Sequence, residues 1–280
     1  MSQLILLRQR IKAIETIKKI THAMRLISMS SHAHLKNKQG SSETYAAHLK
    51  LLLSKIKQKT QINSNETAQK SIKRERVLIC VVSSQKGLCG TFNTNLLNYC
   101  NTTLKTFNSA DFSLFLIGKK IIDSLTPLYQ QQIIGTIPNF SVRTIPEIMI
   151  TLQKEISAFD RVIIVHNVLK SFFLQKPQAT TILPLELPLH ETQTDDLSEY
   201  LWEIDAQTIF DELIKEHLHT YLEYTLFQSL LAEHAARFIA MDNSTRNAHK
   251  LLEEKKIEYN KLRQAKITKE LTELSSLFTL

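Results

Sequence analysis

The chain has 280 residues, with 35 Lys and Arg against 27 Asp and Glu, for a formal net charge of +8. Its 5 glycines and 6 prolines fall far below the roughly 7% and 5% of average usage, which excludes collagen-like, linker-rich and many-turned all-β designs. Three cysteines exclude a fully paired intramolecular disulfide scaffold, and apolar runs such as Val77 to Val82 are far shorter than the ~20 residues of a membrane-spanning helix.

Residues 1–86 hold no proline and the single glycine Gly40, and residues 189–280 hold neither. Long breaker-free stretches at both ends predict long helices. In the first, Ile17, Ile20, Met24 and Ile27 step by 3, 4 and 3, which reads as a coiled-coil seam. Residues 60–76 are polar and read as a connector. Val77 to Val82 is β-branched and fully apolar, as in a buried parallel strand. A polar turn from Ser83 to Gly87 and a helix over about 93–107 follow. Phe112 to Ile117 reads as a second strand, with a helix after Gly118. Gln132 to Ile137 reads as a third strand, Pro146 marks a helix start, and Arg161 to Val165 reads as another buried strand. Phe172 to Leu187, with its prolines, suits a sheet edge. Strands alternating with helices predict an α/β domain with a parallel sheet. In the last stretch Phe227, Leu230, Leu231, Phe238, Leu251, Leu252 and Leu262 form a loose stripe, and Ile267, Leu271, Leu274 and Phe278 step by 4, 3 and 4. A helix over about 207–278 would run roughly 105 Å at ~1.5 Å per residue. It needs a partner along its length, and the N-terminal helix is the available one. The expected fold class is therefore α/β with a long antiparallel coiled coil of the N- and C-terminal helices, divided at 1–59, 77–190 and 205–280.

Charge is uneven. Residues 1–76 hold 16 basic and 4 acidic side chains, residues 77–199 hold 9 and 10, and residues 200–280 hold 10 and 13. The excess on the first helix is either a solvated face or a surface for an acidic partner: nucleic acid, anionic lipid or protein. Tyr45 is the only aromatic residue before position 77, which argues against base stacking. A basic coiled-coil nucleic-acid-binding protein remains the alternative reading.

Catalytic signals are weak. Gly87 and Gly90 follow a buried strand, but neither GxxxxGK[ST] nor GxGxxG is present, so the turn need only connect strand to helix. Cys89 with His166 as a base would make a small α/β enzyme; a buried inert thiol is the simpler reading. His32 and His34, like His217 and His219, are two apart and point to different helix faces. With no CxxC or HExxH, no metal and no cofactor is expected.

Several blocks then carry a resemblance. Leu7-Arg8-Gln9-Arg10-Ile11 with Thr16 to Met24, Gly87-Leu88-Cys89-Gly90 with Asn93-Thr94-Asn95, Glu233 to Met241, and Tyr259 to Leu274 occur in one order across nearly the whole chain. Together they resemble the gamma subunits of the rotary ATP synthase, the central shaft. The resemblance implies a coiled coil inside a ring of three alpha and three beta subunits, and a Rossmann-like central domain that binds no nucleotide. It implies a non-catalytic rotor subunit that couples ion-driven rotation of the membrane c-ring to ATP synthesis or hydrolysis. It places Met24, Arg263, Gln264, Thr268 and Glu270 where the shaft meets the catalytic subunits, with an acidic beta-subunit loop facing the basic arm. It places Tyr200, Trp202, Glu203 and Asp205 in the foot that meets the c-ring and the epsilon subunit, and Gly87, Leu88, Cys89 and Gly90 in a central-domain motif. Where the family usually has lysine and arginine, Ser28 to His34 carries serine, alanine and histidine, leaving His32 and His34 as partly charged substitutes. The tip, Leu277 and Phe278, is bulkier than the family's small residues. The first motif lies within ten residues of Met1, which leaves no room for a transit peptide and favours a bacterial or organelle-encoded origin; the expected place is the cytoplasmic face of a bacterial inner membrane, peripheral and without membrane insertion.

Overall fold

The structure, a computed structural model, describes residues 2–60, 76–107, 112–185 and 205–278. Its elements are α1 (Ser2–Thr60), β1 (Val77–Val82), α2 (Phe92–Leu104), β2 (Phe112–Ile117), α3 (Lys119–Tyr129), β3 (Ile133–Ile137), α4 (Ile145–Ile156), β4 (Arg161–Ser171), β5 (Leu174–Leu183) and α5 (Ala206–Phe278). Contacts divide the chain into two compact units, Ser31–Ala236 and Met1–Ser30 with Arg237–Leu280. Both long helices run through both units.

The larger unit is built on a five-stranded sheet in the order β3-β2-β1-β4-β5. The four strands β1 to β4 are parallel to their neighbours, and β5 returns antiparallel to β4. The sheet is therefore mixed rather than purely parallel. The strand expected over Arg161 to Val165 continues to Ser171 and turns directly into β5, whose Pro177 is tolerated because β5 is an edge.

Strand alternation sends side chains to two cores. Val77, Ile79 and Val81 of β1 pack with Leu96 and Cys100 of α2 and Ile121 and Leu125 of α3. Leu78, Cys80 and Val82 face Ile148 and Leu152 of α4, Leu35 of α1, and Leu222, Leu226 and Leu230 of α5. Both faces of β1 are covered, which is why it reads as an uninterrupted apolar run. Two glycines are required by space. A Cβ on Gly118, at φ +95°, would lie 2.3 Å from the Ser83 carbonyl oxygen, and one on Gly135 would lie 2.4 Å from the Phe115 ring.

The smaller unit is a pair of antiparallel helical segments. The hydroxyls of Thr21 and Thr245 lie 2.9 Å apart, Arg25 meets Asp242 at 2.7 Å, and Lys256 meets Glu15 at 3.3 Å, so numbers rise on one helix as they fall on the other. A row of α1 positions turned away from solvent runs Leu4, Leu7, Ile11, Ile14, Lys18, Thr21, Arg25 and Ser28, with Glu15 and Met24 half-buried beside it. On α5 the matching row runs Met241, Thr245, Ala248, Leu252, Lys255, Tyr259, Leu262 and Lys266, with Asp242 and Ser244 half-buried beside it. Both sets alternate steps of 3 and 4, the spacing of a coiled-coil seam.

This seam is not the one expected. Ile17, Ile20 and Ile27 are 52%, 54% and 64% exposed, Met24 is half-buried at the seam's margin, and Ile267, Leu271 and Leu274 are exposed. The side chains of Leu277 and Phe278 lie outside the described residues. The reason is physical: periodicity shows that one stripe of a helix is apolar, but not which surface covers it. Here the helices pair through a neighbouring stripe whose polar members satisfy one another, and the apolar stripe is left outward. Among the described residues no helix is long and apolar enough to cross a membrane.

Candidate functional site

The two-helix unit presents the five candidate coupling residues, Met24, Arg263, Gln264, Thr268 and Glu270. Arg263, Gln264, Thr268 and Glu270 are all exposed on the last part of α5. Lys266 is the last half-buried position there, and every residue from Ile267 to Ser275 is exposed. With Thr21 beside Thr245, Ser2 lies near the level of Arg263, so the described part of α1 does not run alongside the last part of α5. Local bonds support the helix here. The Thr268 hydroxyl donates to the Gln264 carbonyl at 3.0 Å, Thr272 repeats this onto Thr268 at 2.8 Å, and Lys266 pairs with Glu270 at 3.4 Å.

The fold also reassigns the charge. Residues 1–30 and 237–280 hold 15 basic and 7 acidic side chains, whereas residues 31–236 hold 20 of each. The excess of +8 therefore falls on the two-helix unit, with 6 basic and 1 acidic side chain on residues 1–30 and 9 and 6 on residues 237–280, while α1 over its whole length, with 12 basic and 2 acidic, remains the basic helix. A groove of about 570 Å³ on this unit is lined by Lys18, Lys19, His22 and Lys256, with Glu15 and Leu252. Such a surface receives carboxylates, and the outward stripe of Ile17, Ile20 and Ile27 adds apolar area beside the charge. Sequence reading missed this stripe as a surface because it was taken for the seam.

The histidines near Met24 do not replace the missing cations equally. His32 is buried edge-on to Phe172, with ring centres 5.0 Å apart, and burial followed by the Lys36 charge lowers its pKa. Burial thus disfavours its charged form. His34 is exposed.

Gly87, Leu88, Cys89 and Gly90 form the turn from β1 into α2. Leu88 and Gly90 take positive φ of 64° and 60°, which reverses the chain within four residues. Cys89 and Phe92 are thereby buried against Ala232 and Ala236 of α5. The Asn93 amide donates to the Cys89 sulfur at 3.2 Å and to the Ser84 hydroxyl at 2.8 Å. The motif's work is docking: small alanines on α5 let the turn approach closely. Of the foot residues, Tyr200, Trp202 and Glu203 lie outside the described residues. Asp205 caps α5, its carboxylate accepting from the Gln207 backbone N–H at 3.2 Å.

Residues 3–277 match the family model described as ATP synthase. The ATP synthase gamma chain of Chlorobium luteolum is 30% identical over 280 residues, covering 96% of this chain and 95% of its own length. The chain belongs to the ATP synthase gamma chain family. The gamma chain of Rickettsia canadensis is likewise 30% identical, with 98% of each chain covered. A chain of the Euglena gracilis mitochondrial ATP synthase OSCP/F1/c-ring structure has the same fold, with a TM-score of 0.67 at 17% identity over 99% of this chain and 94% of its own. So does one from the Tetrahymena thermophila central stalk and c-ring, with a TM-score of 0.60 at 18% identity over 80% and 98%.

In this gamma chain Cys80, Cys100, His166 and His217 of the sheet unit are buried in its packing. Burial pushes the Cys100 thiol up to about 12 and the Cys80 thiol further. His166 is buried with Nε2 3.0 Å from the Thr180 hydroxyl, and burial lowers its pKa to about 4. His217 stacks on Tyr221 with ring centres 5.8 Å apart, and burial followed by Lys50 lowers its pKa as well. Among the described residues no three His, Cys, Asp or Glu side chains converge to hold a metal ion.

Proposed function

We propose that this gamma subunit of the ATP synthase central stalk is a non-catalytic torque shaft. Its two-helix unit turns within a ring of three alpha and three beta subunits, and its foot rests on the epsilon subunit and the membrane c-ring. Its working parts are the coiled-coil helices 1–59 and 205–280 and the Rossmann-like domain 77–190. The observation that carries this reading is the division of labour between the units. One is a neutral, doubly covered sheet; the other is a slim helical pair that carries all the net charge and shows apolar and polar side chains outward.

A shaft in a threefold ring works by being asymmetric. The two helices present different side chains all round, so no two faces of the unit are alike. Each beta subunit then meets a different face, and rotation changes the nucleotide affinity of each site in turn. Met24 at the seam margin and Arg263, Gln264, Thr268 and Glu270 on the last part of α5 are the coupling contacts. Tyr200, Trp202, Glu203 and Asp205 form the foot. Basic groups and single apolar side chains suit a bearing that must release each partner as it turns, because scattered contacts hold less tightly than one buried apolar core. The complex lies on the cytoplasmic face of a bacterial inner membrane, with this chain peripheral to it.

The test is co-purification and exchange. A tag placed near residue 65 and isolation in mild detergent should recover alpha, beta and epsilon subunits with ATPase activity. Recovery of the chain alone, or with nucleic acid that leaves in high salt, would overturn the reading and favour a basic nucleic-acid-binding coiled coil.

A further inference from the structure

We infer that Arg25, Asp242 and Arg246 form a register lock, with Asp242 as its hub, that fixes the rotational phase of α5 against α1 and so the face on which Met24 meets the ring. Its role in coupling rests on the shaft reading above; the lock itself does not.

The argument starts from what apolar seams cannot do. Leu4, Leu7, Ile11 and Ile14 face a stripe containing Leu252, Tyr259 and Leu262, and such layers are nearly interchangeable when one helix slips by a heptad. Polar seam residues are not interchangeable, because each needs its own partner. The polar part of this seam lies around Thr21 and Arg25. The Arg25 guanidinium donates to Asp242 Oδ1 at 2.7 Å from across the seam, and Arg246 reaches Asp242 Oδ2 from one turn along α5. The Asp242 carboxylate is only 18% exposed. His22 Nδ1 lies 3.3 Å from Arg25 Nη2 and steadies the guanidinium, and the Thr21 and Thr245 hydroxyls form the next layer. Arg25 foremost, and then Arg246, hold the Asp242 carboxyl below the usual carboxylate range.

A one-heptad slip would carry Asp242 roughly 10 Å along the axis from Arg25. Slipped one way, Asp242 would meet Lys18, a single flexible ammonium in place of the two-pronged Arg25 guanidinium; slipped the other way, it would lose Arg25 with no seam cation of residues 1–30 in its place. Met24 is the neighbour of Arg25 in sequence, so the same lock that sets the register sets the direction of Met24. Asp242 and Arg246 are positioning residues rather than contact residues in this account.

The experiment uses the full chain assembled in its complex. Thr21→Cys with Thr245→Cys places two thiols where the hydroxyls are 2.9 Å apart, so mild oxidation reports the register as disulfide yield. Asp242→Lys, which sets a cation between two arginines, should lower that yield, with the ratio of cross-linked to uncross-linked chain falling by about tenfold, the effect of ~1.4 kcal/mol on the register equilibrium. Proton pumping per ATP hydrolysed should fall with it, while hydrolysis itself persists. Adding Arg25→Glu to Asp242→Lys should restore both readouts, a rescue that loss of packing alone would not give. Should Asp242→Lys fail to assemble, Asp242→Asn keeps the shape and should lower the yield in the same direction. Unchanged yield in both single variants, or no rescue in the double, overturns the lock. A lowered yield with unchanged pumping per ATP overturns its role in coupling. Failure of the shaft reading is distinct, since alpha and beta subunits would then be missing from the preparation.

Discussion

The sheet unit and the two-helix unit solve opposite problems with one chain. In the sheet unit every residue of β1 is buried, both faces are covered, and 20 basic side chains balance 20 acidic ones. In the two-helix unit the seam includes Lys18, Thr21, Arg25, Ser28 and Thr245, while Ile17, Ile20 and Ile27 face outward. The first unit invests its apolar residues in its own stability. The second turns part of its apolar surface and all of the net charge toward whatever surrounds it. Burial is thus the measure of importance in one unit and a poor guide in the other.

The sharpest way to break the comparison is to remove core volume. Phe115→Ala, at the centre of the sheet, should cost about 3–5 kcal/mol and be visible as a lowered urea midpoint of the full chain. Thr21→Val with Thr245→Val, which replaces a polar seam pair by an apolar one of similar shape, should shift the same midpoint far less. A similar loss in both would erase the distinction between the units.

Acid sharpens it next. The pKa of His166 is lowered from its ordinary 6.5 to about 4 by burial, so the unfolded chain binds its proton first as pH falls. Its contribution to stability is complete above pH 6.5 and is lost progressively as pH falls toward 4, on the order of 3 kcal/mol in all. His32 and His217, shifted in the same direction, add to the loss. The Asp242 carboxyl is also lowered, so the helix pair keeps its ion pair until pH falls below about 4. Hydrogen exchange followed against pH should show the sheet unit loosening first, and His166→Gln should flatten that dependence.

Smaller effects follow. Leu88→Gly relieves a positive φ at an exposed position and should gain roughly 0.5–1 kcal/mol in a thermal melt. Ile17→Gln, Ile20→Gln and Ile27→Gln should each change the chain's stability by less than about 0.5 kcal/mol. Their effect should appear instead as weaker association with purified alpha and beta subunits. A stability loss of several kcal/mol from any of the three would mean that the stripe is a seam after all.

Much of the sheet unit was legible because its signals are local and redundant. Val77 to Val82 and Phe112 to Ile117 are apolar runs of strand length, and the structure bounds β1 and β2 at those residues. Gly118 and Gly135 stand where no Cβ fits. The antiparallel return of β5 was not legible, since an edge strand reads the same in either direction. The seam was misread for a different reason. Ile17, Ile20 and Ile27 have the spacing of a core, and nothing local separates a stripe covered by the chain's own helix from one left for other molecules. Of the candidate contacts, Arg263, Gln264, Thr268 and Glu270 came from family likeness, and the fold places them on an exposed helix. The importance of Arg25 and Asp242 was invisible, because they are 217 residues apart and each looks like an ordinary surface charge.

The sequence by itself determined that this chain has two long terminal helices around an α/β core, and that it is a gamma chain. Breakers, apolar runs and ordered motifs act through short-range chemistry that a string of residues displays. Only the tertiary structure decided which stripe of each helix is the seam, where the charge collects, and which residues hold the register. Those outcomes depend on pairing between distant segments, where many registers are nearly equal in apolar contact and a few polar partners select among them.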